Sequence, residues 1–214
     1  MPFADRRDAG RRLAAVLAKY QGEDAVVLAL PRGGVPVASE IAARLNAPLD
    51  LILVRKIGVP TQPELAMGAV VDGLHPLTVR NQEVIEAAGV TQKQFNAIRD
   101  HELGEIRRRR IAYLGVRRQS DIAGRVAIVV DDGVATGATA QAALRATKQR
   151  NPKKLVLAIP VAPTDTLAEL RQEADEIVCL EEYQEFSAIG FYYSNFNQLE
   201  DSDVREILAR VQGA

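Results

Sequence analysis

Cysteine, histidine and tryptophan are scarce in this sequence of 214 residues, which has one cysteine, two histidines and no tryptophan. With so few nitrogen and sulfur ligands, a zinc site is not expected. The single cysteine, Cys179, lies in the stretch Glu-Ile-Val-Cys-Leu, which is typical of a buried strand. We therefore expect an inert core thiol rather than a nucleophile.

Long apolar runs are also absent, and the arginine-rich N-terminus lacks the apolar core of a signal peptide. We therefore expect a cytoplasmic protein without a membrane partner. The formal net charge of −1 gives no reason to expect a nucleic-acid partner. An apolar fraction of 47% with 26% charged residues is ordinary for one globular domain with a subdomain.

Strand and helix patterns alternate along the chain, which predicts an α/β fold with a doubly wound, mostly parallel sheet. Residues 61–64 have no periodicity and contain Pro63, which predicts a mobile loop. The predicted strands are 25–30, 50–54, 67–71, 126–130, 154–163 and 176–180, and the predicted helices are 5–20, 36–45, 81–114 with a break at 89–91, 138–148, one from Thr164, and 201–211.

The strand at 126–130 ends in a carboxylate pair, Asp131 and Asp132, and a turn rich in small residues then leads into the helix at Ala138. Backbone N–H groups at a helix N-terminus bind a phosphate well, and Thr136 and Thr139 add hydroxyl donors. The carboxylates would repel that phosphate unless they face another part of the ligand. Sugar hydroxyls satisfy this requirement, so the pattern indicates a phosphorylated ribose.

Other interpretations of this motif stay open at this point. The acid pair could cap the following helix in an ordinary doubly wound domain, and an Asp pair at a strand end also occurs in phosphoacceptor receiver domains. The segment lacks the Gly-Lys-Ser/Thr ending of a nucleoside-triphosphate loop. No Gly-x-Gly-x-x-Gly follows the first predicted strand either, so a dinucleotide site is set aside.

The segment Asp131-Asp132-Gly133-Val134-Ala135-Thr136-Gly137-Ala138-Thr139 resembles the phosphoribosyl pyrophosphate (PRPP) loop of the type I phosphoribosyltransferases. The resemblance implies that Asp131 and Asp132 bind the ribose hydroxyls. It also implies that a run of five residues binds the 5′-phosphate: Ala135, Thr136, Gly137, Ala138 and Thr139. In this family Mg²⁺ is held mainly through PRPP, so we expect Mg²⁺ as cofactor without a dedicated set of protein ligands.

Pro31-Arg32-Gly33-Gly34, after the first strand, is similar to the family's pyrophosphate loop, which commonly has a non-proline cis peptide before Arg or Lys. The resemblance implies that Arg32, Gly33 and Gly34 bind pyrophosphate. Arg55-Lys56-x-Gly58 resembles the start of the family's flexible catalytic loop, so Arg55 and Lys56 are expected at the leaving pyrophosphate. Glu64, the one acid of that loop, is the candidate general base.

Two further segments complete the predicted organisation. Residues 81–115 are interpreted as an inserted helical pair within a core of residues 1–182, and Arg107–Arg110 as a solvated face paired with Glu102 and Glu105. Residues 183–214 are interpreted as an aromatic-rich hood followed by a helix. The aromatics of this segment either pack a small lid or form a stacking platform for a planar base. In the second interpretation the base-binding residues are Phe186, Phe191, Tyr192 and Tyr193.

The resemblance implies transfer of the 5-phosphoribosyl group of PRPP to a nitrogenous base, with release of pyrophosphate. Ala135 stands where 6-oxopurine enzymes have an aspartate base, and Val161-Ala162-Pro163 where they have a lysine, so the acceptor stays undetermined and is closer to that of adenine or uracil enzymes. Gly133 also departs from the usual apolar residue after the acid pair. A non-catalytic PRPP sensor is the alternative, and a homodimer stays open.

Overall fold

Five parallel strands form the central sheet of the computed structural model, which describes residues 2–73, 76–115 and 119–212. The strands are β1 (Ala25–Ala29), β2 (Leu49–Leu51), β6 (Val126–Val130), β7 (Lys154–Pro163) and β8 (Glu176–Tyr183). Their order across the sheet is β2-β1-β6-β7-β8, and every neighbouring pair is parallel. The predicted doubly wound, mostly parallel sheet is therefore confirmed.

Helices cover both faces of this sheet, which explains why its strands are continuous apolar runs. In β1 and β6 alternate residues point to opposite faces and all are buried. Ala25, Val27 and Ala29 join the core beneath one helical layer, whereas Val26 and Leu28 join the core on the other face. The helices are α1 (Arg6–Val16), α2 (Gly34–Leu45), α3 (Gln82–Ala87), α4 (Gln92–Leu114), α5 (Ala138–Lys148), α6 (Thr164–Leu170) and α7 (Asp201–Gln212).

A second, antiparallel sheet consists of β3 (Val54–Val59), β4 (Gln62–Val71) and β5 (Leu77–Arg80). The prediction of a loop without regular structure at residues 61–64 is therefore wrong, because Gln62 begins β4 directly after a tight turn. Pro63 fits this strand since it lies where the β3–β4 pairing is irregular. Gly58 permits the close approach, because a Cβ there would lie 2.4 Å from the Pro63 carbonyl oxygen.

The inserted helical pair, α3 and α4, is present, and Thr91 caps α4 with a capping box completed by Gln94. The arginine run within α4, however, is not one solvated face. Arg108 pairs with Glu105, but Arg110 lies 2.6 Å from Asp72 and 3.3 Å from Asp50, both buried. That interpretation was wrong because residues 107–110 point around a full helical turn, so each meets a different environment.

Two smaller differences concern element ends. The second predicted helix begins at Gly34 rather than Pro36, and the predicted strand 50–54 divides between β2 and β3.

Cys179 lies in β8 and is half-buried, and burial raises the pKa of its thiol to about 11. Across residues 2–73, 76–115 and 119–212, no helix is both long and apolar enough to cross a membrane.

Candidate functional site

The site lies at the carboxyl edge of the parallel sheet, where β1 and β6 are neighbours. Leu30 N donates to Val130 O at 2.9 Å, so the two strand ends are joined immediately before their loops. The strand order also reverses here, since β2 follows on one side of β1 and β6 on the other. Ligands of open α/β sheets bind at such a switch point, so the turn after β1 and the turn after β6 form one crevice.

The turn after β6 presents a row of free backbone amides. Among the described residues, the N–H groups of residues 135–139 have no hydrogen-bond acceptor in the protein. Gly137 has φ of +78° and lies directly before α5. The free N–H groups therefore lie at the N-terminus of an eleven-residue helix, where the helix dipole is positive. Residues Ala135, Thr136, Ala138 and Thr139 are all exposed. The geometry is that of an anion-binding turn.

Contacts with the hood explain why residue 133 is a glycine. A Cβ on Gly133 would lie 2.7 Å from Ile189 Cγ2 and 3.0 Å from Val161 Cγ1, and its φ is +155°. Ile189 belongs to the 3-10 helix Ile189–Tyr192, which follows β8. The hood side chain therefore occupies the space that an apolar residue at position 133 would need.

The two carboxylates after β6 have different environments. Asp131 Oδ1 accepts a hydrogen bond from the Asp132 amide at 2.9 Å. Burial raises the pKa of Asp131 well above its usual range, and the neighbouring charge of Asp132 raises it further. Asp132, by contrast, receives a hydrogen bond from Arg6 Nε at 2.7 Å. One carboxyl therefore favours its proton, while the other is held in an ion pair.

Arg6 is a site residue that the sequence did not reveal. Its guanidinium lies 3.8 Å from the centroid of the Phe196 ring, and its Nη1 donates to Asn197 O at 2.9 Å. The Tyr193 hydroxyl donates to Asp132 O at 2.5 Å. Arg6 and Tyr193 thus tie the acid pair to the hood from two sides. Arg6 is one of several arginines on α1, and nothing local in the sequence distinguishes it.

The turn after β1 has a cis peptide between Pro31 and Arg32, as the family resemblance implies. Gly34 N donates to Leu30 O at 3.0 Å, so of the two glycine amides only that of Gly33 is free for a ligand. A Cβ on Gly33 would lie 2.0 Å from Asp132 Oδ2. The glycine is therefore required by close packing of the two loops.

Arg32 points towards the C-terminal helix. Its Nη1 lies 3.5 Å from Glu200 Oε2 and 3.9 Å from Asp201 Oδ1. About a third of the side chain is exposed, at 34%. These are long contacts to exposed carboxylates, so they constrain the guanidinium weakly and leave it able to turn towards an anion.

Arg55, Lys56 and Glu64 lie in the antiparallel sheet. Arg55 Nε donates to Glu102 Oε2 at 2.6 Å, and Lys56 Nζ lies 3.1 Å from Glu64 Oε2. The Glu64 side chain is 95% exposed, as expected for a residue at a hairpin tip. Within the described residues, none of the three makes a hydrogen bond or ion pair with the turns after β1 and β6. The structure does not bring them into direct contact with Asp131 and Asp132.

The hood aromatics divide into packed and exposed rings. Phe186 stacks on Tyr192 with centroids 5.0 Å apart, and Tyr193 packs between Phe3 and Phe196. Burial raises the pKa of Tyr193, whose ring is only 6% exposed. Phe191 is 77% exposed. Tyr193 therefore packs the hood against the acid pair, and Phe191 offers an open aromatic face.

These features define a doubly wound α/β protein with a turn of free backbone amides and a carboxylate pair at the switch point of its sheet. Residues 5–194 match the family model of the phosphoribosyl transferase domain. The chain belongs to this family, and the family predicted from the sequence is confirmed.

Relatives with known sequence or structure agree with the assignment. The chain is 45% identical over 208 residues to a Mycobacterium tuberculosis H37Rv protein that carries the provisional name of a phosphoribosyl transferase. That match covers 97% of this chain and 46% of the relative, so the chain spans less than half the length of the curated protein.

Two solved structures share the fold. The crystal structure of TT1426 from Thermus thermophilus is 41% identical, with a TM-score of 0.84 and coverage of 98% of this chain and 99% of that one. AQ2163 from Aquifex aeolicus is 14% identical, with a TM-score of 0.51 and coverage of 84% and 76%, and shows the fold alone.

Proposed function

We propose that the chain transfers the 5-phosphoribosyl group of PRPP to a nitrogenous base and releases pyrophosphate. The observation that carries this proposal is the row of free amides at residues 135–139, one strand away from Arg32 and Gly33 and with the acid pair between them. A ligand with a phosphate at one end, a diphosphate at the other and vicinal hydroxyls in the middle matches this order of donors and acceptors.

In this proposal the 5′-phosphate binds the amides of residues 135–139 at the N-terminus of α5. Asp131 and Asp132 accept hydrogen bonds from the ribose hydroxyls. The Gly33 amide and the Arg32 guanidinium hold the departing diphosphate, while Arg55 and Lys56 approach it from the hairpin. Since bond breaking runs ahead of bond making, these groups stabilise a positively charged ribose and the negative charge that leaves it.

Mg²⁺ is part of the proposal. It prefers oxygen ligands and keeps few protein contacts when a phosphate supplies others. Asp131 would assist this binding after releasing its proton, because among the described residues its carboxyl is not paired with a cation side chain, whereas Asp132 is paired with Arg6. When bound, the metal would supply positive charge that stabilises the departing diphosphate.

The acceptor is proposed to be a base other than a 6-oxopurine, because Ala135 offers no carboxylate towards it. Phe191 is the exposed hood ring available for stacking, whereas Phe186 and Tyr192 stack on each other. Glu64 is the proposed general base, delivered by movement of the hairpin. Residues 183–214 act as the hood unit of a core spanning residues 1–182, in a cytoplasmic protein.

Titration calorimetry with PRPP and Mg²⁺, followed by a screen of nucleobases for pyrophosphate release, tests the proposal. We expect saturable PRPP binding and base-dependent release. The matched variant is Asp131→Asn with Asp132→Asn, which should weaken PRPP–Mg²⁺ binding by more than about tenfold, because several hydrogen bonds to charged groups are lost. PRPP binding without release for any base would identify a sensor instead, and unaltered binding by the variant would remove the ribose site.

A further inference from the structure

Arg6 differs from the three other arginines of α1 in how deeply its side chain is buried. The Arg6 side chain is 12% exposed. Those of Arg7, Arg11 and Arg12 are between 45% and 58% exposed, and their carboxylate partners lie on α1 itself or on α2. Arg6 instead pairs with a carboxylate of the candidate site. Its charge therefore acts on the site, whereas the other three arginines make ordinary surface contacts.

The contacts of Asp132 give its two carboxylate oxygens different environments. Arg6 Nε donates to Oδ2 at 2.7 Å. Oδ2 also faces the turn after β1, because a Cβ on Gly33 would lie 2.0 Å from it. Oδ1 accepts no hydrogen bond from the residues that the structure describes. One oxygen is therefore fixed inside the protein, and the other is left for a ligand.

The hood holds the Arg6 guanidinium from further sides. The Phe196 ring centroid lies 3.8 Å from the guanidinium carbon, and Nη1 donates to Asn197 O at 2.9 Å. The Tyr193 ring packs against Phe196 with centroids 5.0 Å apart, and its hydroxyl donates to the backbone oxygen of Asp132. The side chain and the backbone of Asp132 are therefore both tied to the same part of the hood.

This ion pair is better suited to orienting Asp132 than to stabilising the fold. The loss of water around two buried charges offsets much of their attraction, so such a pair adds little net stability. The directional contact with Arg6 does, however, restrict rotation of the carboxylate. A ligand hydroxyl then meets an acceptor that is already oriented, which lowers the entropy cost of binding.

A blocking role is the alternative, in which Arg6 covers Asp132 until a ligand displaces it. The contacts favour orientation instead. Arg6 engages Oδ2 and not Oδ1, so the second oxygen is not covered by this contact. Withdrawal of the guanidinium would also break its contacts with Phe196 and Asn197. A group held on several sides is poorly suited to move aside for each ligand.

We propose that Arg6 is a positioning residue for the ribose site, which fixes Asp132 Oδ2 towards α1 so that Oδ1 faces a ribose hydroxyl. Phe196 and the Asn197 carbonyl set the position of Arg6, so the hood acts on the ribose site through this arginine. Arg6 does not contact the ligand in this arrangement, and its effect passes through Asp132. The inference rests on the proposed function for the identity of the ligand, a phosphorylated ribose.

Ribose 5-phosphate and inorganic phosphate separate this role from a purely structural one. Both carry a phosphate for the amides of residues 135–139, but only ribose 5-phosphate has hydroxyls for Asp132. We expect Arg6→Met to weaken ribose 5-phosphate binding by about tenfold, because a hydrogen bond to a charged group is lost, and to change phosphate binding by less than about twofold. Titration of amide ¹H–¹⁵N shifts measures both affinities. Arg11→Met is the matched control, since Arg11 is an exposed arginine of the same helix.

A double-mutant cycle tests whether Arg6 acts through Asp132. In an Asp132→Asn background, Arg6→Met should change ribose 5-phosphate affinity by less than about twofold. Arg6→Lys should retain part of the affinity, because its ammonium also donates to a carboxylate. The dispersion of the amide shifts shows whether each variant is folded, and Arg6→Lys carries the ligand comparison should Arg6→Met unfold.

Three results would overturn the positioning role. They are equal weakening by Arg6→Met in both backgrounds, tighter ribose 5-phosphate binding by Arg6→Met, as a blocking arginine predicts, and no binding of ribose 5-phosphate by the wild type. Failure of the transferase function gives a different pattern. In that case no base would release pyrophosphate from PRPP, while the ribose 5-phosphate affinities would still follow the expected cycle.

Discussion

Arg6 Nε lies 2.7 Å from Asp132 Oδ2, and each side chain is only about one-eighth exposed. The pair joins the first turn of α1 to the carboxylate that follows β6, with the Phe196 ring stacked on the guanidinium. It means that the acid pair, the N-terminal helix and the hood are held as one unit.

Replacement of Arg6 by alanine should therefore affect both stability and the site. Breaking a largely buried ion pair leaves Asp132 without its cation, and we expect a loss of about 1–3 kcal/mol in the free energy of unfolding. Urea unfolding measures this loss. Arg11→Ala is the control, because Arg11 is more than half exposed and lies 3.9 Å from its partner Asp8. Equal stability of the two variants would show that the Arg6 pair contributes little.

Asp131 should make stability depend on pH. Its folded pKa is raised, so the folded state binds the proton more tightly than the unfolded chain does. The resulting stabilisation is present below the ordinary aspartate pKa of about 3.9 and is lost as pH rises through the raised folded pKa. In Asp131→Asn this decrease in stability with rising pH should be absent. The midpoints of urea unfolding, measured from pH 4 to 8, would show the difference. Exposed Asp165→Asn serves as control, and a parallel pH profile for Asp131→Asn and wild type would contradict the expectation.

Glu64→Gln tests the general base once an acceptor is known. Loss of a general base typically costs about 10²–10⁴ in rate, whereas PRPP affinity should change little. The substitution leaves the bond from Lys56 Nζ to the Glu64 carbonyl intact. Steady-state kinetics should be compared with Glu86→Gln, because Glu86 is an exposed acid on α3, outside the β3–β4 hairpin. Wild-type kcat in Glu64→Gln would reduce Glu64 to an exposed partner of Lys56.

Cys179 should resist thiol–disulfide exchange with a chromogenic aromatic disulfide in the folded protein. Its pKa is raised to about 11 by burial, so little thiolate exists at pH 8, and the thiolate is the reactive form. We expect a thiol reagent to modify the native chain at least about tenfold more slowly than the chain in guanidinium chloride. Absorbance of the released chromophore follows both rates. Rapid native modification would indicate an accessible thiolate and contradict the inert role.

The sequence predicted the central sheet and the two small-residue turns at its carboxyl edge because these are local signals. Each is a buried apolar run followed by small residues and a helix start, and Gly33, Gly133 and Gly137 lie where close packing or positive φ requires them. What the sequence could not show depends on contacts between distant segments. Arg6 and Asp132 are 126 residues apart, and the hairpin at residue 62 forms only because β3 supplies a partner strand.

The different environments of neighbouring arginines escaped prediction for the same reason. Arg107–Arg110 is a uniform run in the sequence, yet in the structure Arg110 pairs with two buried aspartates, whereas the buried Nε of Arg109 has no hydrogen-bond partner among the described residues. Hydrophobic periodicity predicts which face of a helix packs against the core. It does not predict which acidic side chains of other segments lie next to that helix. Asp50 lies in β2 of the parallel sheet and Asp72 directly follows β4 of the antiparallel sheet, so only tertiary structure places them beside one arginine.

The adjacency of β1 and β6 has a consequence for how this protein can diversify. All of the antiparallel sheet and the helical pair lie between these two strands in sequence, yet the strands pair directly in space. Segments can therefore lengthen, shorten or be exchanged between them while the register of the strand ends, and with it the spacing of the two small-residue turns, is preserved. Ligand recognition can therefore change in the segments between β1 and β6 without rebuilding the two turns at the strand ends.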